Sequence, residues 1–143
     1  MIGLDTNVIV RYLVQDDPEQ SKIANHIFEQ QLSQENKGVI SPVVFCEVVW
    51  VLKRAYKQQK PKLLEVVRML LLADWLEIMH RDAAWRAFGE YESGVADFSD
   101  YFIAQMNAEA GAKKTVTFDT AALSGRHFVQ AGCASLATRG ARD

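Results

Sequence analysis

The stretch MIGLDTNVIVRYLV, residues 1–14, places an aspartate at the junction of two apolar runs. Its pattern predicts a short strand at residues 2–4 and a helix at 6–14, so that Asp5 stands where the strand ends and the helix begins. One explanation of the aspartate is that it caps the helix, because aspartate is a favoured N-cap residue. The other is that it binds a ligand, because ligands of open parallel α/β sheets lie beyond the carboxyl ends of the strands.

The alternation of strand and helix continues along the chain. Further strands are predicted at 38–40, 75–79 and 114–118, with a weak last strand at 133–136. Two of the helices between them have strong start signals, Asp17-Pro18 and Ser41-Pro42. After the first helix, a second is predicted to begin at Pro18. Further helices are predicted at 42–56, 61–73, 82–92, 99–110 and 119–123. Strands that alternate with helices favour a parallel sheet covered on both faces.

The composition is that of an ordinary globular protein. A length of 143 residues suits a single domain, 1–143, whose last residues, 137–143, we expect to fray. The net charge of −2 excludes bulk attraction to nucleic acid, although it allows a local basic patch. No apolar run approaches the roughly 20 residues of a membrane span, and we find no signal-peptide pattern, so we expect a cytoplasmic protein. Cys46 and Cys133 lack metal-site spacing and are expected to be free thiols.

Five carboxylates interrupt apolar sequence, and each has a structural explanation to set against a functional one. Asp5, Asp97 and Asp119 all stand at predicted helix starts, where aspartate is a common cap. Asp100 is placed to complement the dipole of a helix from its first turn. Glu47 lies past the first turn of its helix, inside VVFCEVVWVL, where we expect it to be buried. A buried carboxylate requires a partner, either an arginine or a shared ligand.

Topology favours the shared ligand. Asp5 and Asp119 follow two different strands, Glu47 projects from a helix after a third strand, and Asp100 lies in the first turn of another helix. All four can therefore face one crevice at the carboxyl ends of the strands. Four carboxylates in one place repel each other, and without a counter-charge some would stay protonated. Because the donors are oxygens, with no His/Cys set, we expect the counter-charge to be Mg²⁺ or Mn²⁺.

Four segments, in their order along the chain, resemble a known family. They are LDTNVIV (4–10), SPVVFCEVVWVL (41–52), ADFSDYFIAQMNAEAG (96–111) and TVTFDTAAL (115–123). These segments resemble the PIN-domain nucleases, and within them the VapC-type toxin ribonucleases of toxin–antitoxin pairs. The resemblance covers nearly the whole chain. It implies an α/β fold, a PIN-like three-layer α/β/α domain with a central parallel sheet of about four to five strands.

The resemblance also assigns site residues. The family's acidic site corresponds to Asp5, Glu47, Asp100 and Asp119, with Asp97 as a companion acid ranked below them. Thr6 and Thr117 match positions where the family often has a hydroxyl. A carboxylate-held metal activates water and stabilises charge on phosphoryl oxygens, which is the chemistry of phosphodiester hydrolysis. Glu47 either completes the metal shell or accepts the proton of the attacking water.

Two further features concern partners. Residues 53–68 contain six cations and one acid, among them Lys53, Arg54 and Lys57, and form either a solvated helix end or an RNA-binding patch. Arg11 is the other candidate RNA contact near the crevice. The run LLEVVRMLLLADWL, 63–76, is hydrophobic around most of its helix, so we expect core first and a homodimer interface second. The resemblance favours the homodimer and implies a small antitoxin protein as inhibitor.

Three rival interpretations differ from the nuclease in chemistry. A phosphoacceptor domain would place a second acid beside the first and a lysine after a late strand, whereas Asp5 has no adjacent acid. A DxDxT phosphatase is excluded because the sequence reads Asp5-Thr6-Asn7. A non-enzymatic binding module that kept the fold is the remaining alternative, and the presence of all four acids argues against it.

Overall fold

The computed structural model describes residues 1–132, in which five short strands alternate with six α-helices. The strands are β1 (Ile2–Gly3), β2 (Gly38–Ile40), β3 (Leu76–Ile78), β4 (Thr115–Thr117) and β5 (Phe128–Gln130). The helices are α1 (Thr6–Val14), α2 (Pro18–His26), α3 (Pro42–Arg54), α4 (Lys60–Leu72), α5 (Arg81–Ser93) and α6 (Phe98–Glu109). A π-helical turn, Ile27–Gln31, continues α2, and a 3₁₀ turn, Ala122–Ser124, precedes β5. In this part of the chain no helix is long and apolar enough to span a membrane.

The strands are parallel, as the sequence predicts, but they divide between two sheets. β1, β2 and β3 form a three-stranded sheet in that order, and β4 pairs with β5 in a two-stranded sheet. The α/β class is confirmed. The expected single central sheet becomes two within residues 1–132, because β1 has only two residues and pairs with β2 alone. β5 was missed in the sequence, and the strand predicted at 133–136, Cys133 and the fraying expected at 137–143 lie outside the described residues.

Helix starts follow the local signals in the sequence. Ser41 Oγ accepts a hydrogen bond from the backbone N–H of Val44 at 3.3 Å, and Pro42 occupies the first helical position of α3. Asp17 caps α2 in the same way, accepting from the N–H of Gln20 at 3.1 Å. The Ser41 cap fixes where α3 begins, and it therefore places Glu47 on the helix that follows β2.

The core lies between the three-stranded sheet and the helices around it. Phe45 of α3 is fully buried, and its ring packs against Phe98 of α6 at a centroid distance of 5.2 Å and edge-on against Phe102. In α4, five side chains of the apolar run enter this core: Leu63, Val66, Val67, Leu70 and Leu71. Core packing thus accounts for most of the run 63–76, while a homodimer stays a prediction.

Candidate active site

Asp5 occupies the N-cap position of α1 without acting as a side-chain cap. Its backbone is extended, with φ −91° and ψ 161°, and its carboxylate makes no capping hydrogen bond. The side chain is exposed at the carboxyl end of β1. The capping explanation of Asp5 is therefore not realised, and its oxygens are available to a ligand.

Glu47 is exposed, so the expectation that it is a buried carboxylate was wrong. Its position on α3 points it away from the Phe45 core and toward the start of α1. There the buried Thr6 donates a hydrogen bond from Oγ1 to Glu47 Oε2 at 3.2 Å. Since Thr6 follows Asp5 directly, this bond links Glu47 on α3 to the start of α1, next to Asp5. The hydroxyl predicted beside the acids orients Glu47.

Asp97 and Asp100 lie together at the start of α6. Asp100 Oδ2 accepts a hydrogen bond from the backbone N–H of Asp97 at 3.2 Å. Asp97 Oδ1 in turn accepts from Lys53 Nζ at 2.5 Å, an ion pair between α3 and the α6 start. This pair compensates the charge of Asp97. It also occupies Lys53, which sequence reasoning assigned to solvent or RNA.

The charge of Asp100 is less well compensated. Partial burial raises the pKa of its carboxyl, the hydrogen bond from Asp97 lowers it, and the negative charges of Asp119 and Asp97 raise it further against the opposing charge of Lys53. The net pKa direction is upward. This direction is the one expected for crowded carboxylates without a cation, and Asp119 lies within electrostatic reach of Asp100.

The thiol of Cys46, the residue before Glu47, is protonated at neutral pH and therefore a poor nucleophile. Burial, with a smaller contribution from the charge of Asp100, raises the pKa of Cys46 to about 12. The nucleophilic form of cysteine is the thiolate, which is negligible at neutral pH for such a pKa. Cys46 is thus a packing residue of α3, in agreement with the free thiol expected from the sequence.

Asp119 follows β4 and organises the turn after it. Its Oδ1 accepts from the backbone N–H of Ala121 at 2.9 Å, and its own N–H donates to Thr117 Oγ1 at 2.9 Å. Asp119 was predicted to cap a helix at 119–123, but it instead stabilises a turn, because the 3₁₀ turn begins only at Ala122. Because the side chain is exposed, this role leaves part of the carboxylate accessible to a ligand.

The candidate donor atoms suit a hard divalent cation, although the described acids are not arranged as a complete metal site. In the described part of the chain, no group of three or more His, Cys, Asp or Glu side chains is arranged to hold a metal. The candidate donors are nevertheless all carboxylate oxygens, and among residues 1–132 only Lys53 is a cation bonded to any of them. An uncompensated set of oxygen donors fits Mg²⁺ or Mn²⁺ better than zinc.

The basic residues predicted to contact RNA have different surroundings. Arg11 Nε donates to Gln20 Oε1 at 2.7 Å, and its Nη1 donates to the Tyr56 hydroxyl at 2.9 Å and approaches Asp16 Oδ1 at 3.4 Å. This network ties α1 to the start of α2 and the end of α3. Arg54 and Lys57 are exposed, and within residues 1–132 neither forms an ion pair. RNA contact by these residues stays a prediction.

Sequence reasoning missed the surface that surrounds Glu47. Trp50 appears in the sequence only as part of the apolar run VVFCEVVWVL, yet 58% of its surface is exposed. Helical periodicity contained the signal, because a residue three positions after an exposed one lies on the same face.

Comparison with known proteins gives one informative finding. The family described as the PIN domain matches residues 2–124, most of the chain. No curated protein matches the chain, and no solved structure matches it.

Proposed function

This chain belongs to the PIN-domain family, and from that premise we propose that it is a metal-dependent endoribonuclease acting as the toxin of a toxin–antitoxin pair. PIN domains have a nuclease-type fold and typically use divalent metal ions. The observation that carries the proposal is the charge state of the candidate site. Asp100 has a raised pKa because it is partly buried and faces Asp119 and Asp97 with a single lysine to oppose them. Such a set of carboxylates is stable when it shares a cation.

The four acids take distinct roles in this proposal. Asp5, Asp100 and Asp119 hold the metal, which when bound supplies an activated water and charge stabilisation at the phosphate. Glu47 either completes the metal shell or accepts the proton of the attacking water. Thr6, through its bond to Glu47 Oε2, holds that carboxylate at the end of β1. Asp97 is a weaker ligand candidate, because its charge is already paired with Lys53.

A cleavage assay tests the enzymatic function. We expect the protein to cut single-stranded or structured RNA in Mg²⁺ or Mn²⁺ and to stop in EDTA. Asp5→Asn and Glu47→Gln should each abolish cleavage, with a fall of roughly 10²- to 10⁴-fold if Glu47 is a general base. Glu29→Gln is the matched control, because Glu29 is an exposed glutamate on the π-helical turn, away from these acids. Full activity of Glu47→Gln would contradict the site, and an inactive wild type would favour a non-enzymatic PIN module.

The toxin role predicts an inhibitor protein. A groove of about 220 Å³ between α1 and α2, lined by Val8, Ile23 and Ile27, supports docking of an apolar helix from a small antitoxin. An antitoxin arginine could then compete with the metal for the carboxylates. We expect expression of this chain alone to arrest growth, Asp5→Asn to remove the arrest, and the product of the neighbouring gene to rescue it by forming a tight complex. Harmless expression of the folded wild type would contradict the toxin role.

A cytoplasmic location and a homodimer belong to the same proposal. Among the exposed apolar side chains of α4, Met69 and Leu72 could serve a copy–copy contact. Sedimentation of the purified chain with Leu72→Asp alongside tests the dimer, since a charge there should shift the distribution toward monomer.

A further inference from the structure

One face of α3 carries four exposed side chains of different chemistry. They lie at positions i, i+4, i+7 and i+11, which brings them onto one side of the helix. In order they are Val43, Glu47, Trp50 and Arg54. The acid proposed for catalysis is thus followed, one turn on, by an aromatic ring that is 58% exposed, and after another turn by a cation. From Glu47 to Arg54 the stripe extends about 10 Å along the helix axis.

The inner side of the Trp50 ring is closed. Trp50, Lys53 and Asp97 line a cavity of about 20 Å³, which is room for about one water molecule. No organic ligand fits beneath the indole, so a ligand of Trp50 must lie on its outer side, in contact with solvent. The ion pair of Lys53 with Asp97 borders the same cavity and holds this part of α3 against the start of α6. Trp50 therefore lies beside Asp97 with more than half of its surface open to solvent.

The charges on the stripe argue against a second copy of the chain as its occupant. A copy–copy interface centred on Trp50 would cover Glu47, and glutamate is depleted from interface cores. Arg54 has no ion-pair partner in residues 1–132, so its charge is available to an anion. An aromatic ring beside a cation suits a polymer that alternates bases and phosphates.

We propose that Trp50 stacks on an unpaired base of single-stranded RNA and that Arg54 binds a neighbouring phosphate, so that this face of α3 leads the strand to Glu47. The proposal rests on the proposed nuclease function for the acid site. It specifies the substrate class, because a base inside a duplex has no free face for the indole.

Binding of a fluorescein-labelled twelve-nucleotide oligouridine in EDTA tests the stacking without cleavage. We expect Trp50→Ala to weaken binding roughly 5- to 150-fold, the range for loss of one stacked base, and Trp50→Phe to retain most of the affinity. Met79→Ala is the matched control, since Met79 is a 44% exposed apolar side chain directly after β3, outside both α3 and α4, and it should bind as the wild type does. Arg54→Gln should lower the salt slope by about 0.7. A blunt-ended RNA duplex, which has no unpaired bases, should bind Trp50→Ala and the wild type alike.

The outcomes separate this proposal from the nuclease function. Equal binding by Trp50→Ala and wild type would overturn the stacking proposal. So would a shift of Trp50→Ala from dimer to monomer in sedimentation with its RNA affinity unchanged, which would assign the face to a second copy. If RNA cleavage depends on Mg²⁺ but its KM is the same for Trp50→Ala and wild type, the nuclease function stands and the stacking proposal is contradicted. If the wild type binds RNA more tightly than Trp50→Ala does but never cleaves RNA, the stacking proposal stands and the nuclease function is contradicted.

Discussion

The two sheets of this protein differ in how much core supports them. In the three-stranded sheet, Ile40, Leu76 and Ile78 are almost completely buried. In the two-stranded sheet, Val116 is 52% exposed, and Phe118 directly after β4 is 87% exposed. Glu47 thus lies on the helix that follows a well-packed strand, β2, whereas Asp119 follows a strand that buries little. The lesson is that one site draws on regions of unequal stability, and its completion depends on the weaker one.

The difference in core support between the two sheets should appear most strongly in the free energy of unfolding that is lost when a buried phenylalanine is removed. Phe45→Ala should lower the free energy of unfolding by about 3–5 kcal/mol, because its ring packs against Phe98 and Phe102. Phe128→Ala in β5 should cost less, since Phe128 keeps 9% of its surface exposed whereas Phe45 of the same core is fully buried. Urea denaturation of both variants measures the difference. Equal losses would show that the core supports both sheets alike.

Divalent metal should stabilise the protein by joining acids of the two regions. At 100 times the dissociation constant, a ligand of the native state alone adds about 2.7 kcal/mol to the free energy of unfolding. We expect millimolar Mg²⁺ to raise the Tm relative to EDTA. Asp119→Asn should reduce the increase, while Asp74→Asn, an exposed aspartate bonded to Gln34, should leave it intact. Melting curves that superimpose in EDTA and Mg²⁺ would contradict a metal site.

Asp100 should give the metal-free protein a distinctive pH dependence. Because the folded state raises the pKa of Asp100, the native protein holds this proton more tightly than the unfolded chain. Its contribution to stability therefore falls as pH rises from the unfolded pKa through the raised folded pKa. In EDTA, Asp100→Asn should be more stable than wild type at pH 7, and the two should converge at about pH 3, below the ordinary aspartate pKa. A difference independent of pH would mean that the substitution acts through packing.

The smallest effect is expected at Phe118. Phe118→Ser should change the free energy of unfolding by less than about 0.5 kcal/mol, as is usual for an exposed side chain. Thermal unfolding of the variant checks this. A loss well above 1 kcal/mol would show that Phe118 is covered in solution, and the contrast between the two sheets would then disappear.

Most of the fold could be predicted from local signals. The bounds of α1 agreed with its prediction, Thr6–Val14, and Ser41-Pro42 located the start of α3 because capping and proline geometry are local. The division into two sheets could not be predicted in this way. Strand pairing depends on contacts between distant segments, and periodicity carries no information about which strand lies beside another.

The candidate site was predictable in part. The placement of Asp5 beyond β1 follows from topology, and the resemblance identified the four acids together. The surroundings of Glu47 were misjudged, because a run of apolar neighbours along the sequence occupies several faces of a helix. The ion pair of Lys53 with Asp97 also escaped prediction, since it joins two segments 44 residues apart.

The order of strand pairing along the chain has a consequence for folding. Ile2 pairs with Gly38 and Gly38 with Leu76, so each contact of the larger sheet closes a loop of about 35 residues, whereas Thr115 and Phe128 close a loop of about a dozen. Short loops close first, and long-range parallel pairings form late. A full-length chain refolding from denaturant would therefore form the strand beside Asp119 before those beside Asp5 and Glu47. Partly folded forms of the chain would have an incomplete set of acids at the site. Hydrolytic activity would therefore require the native topology.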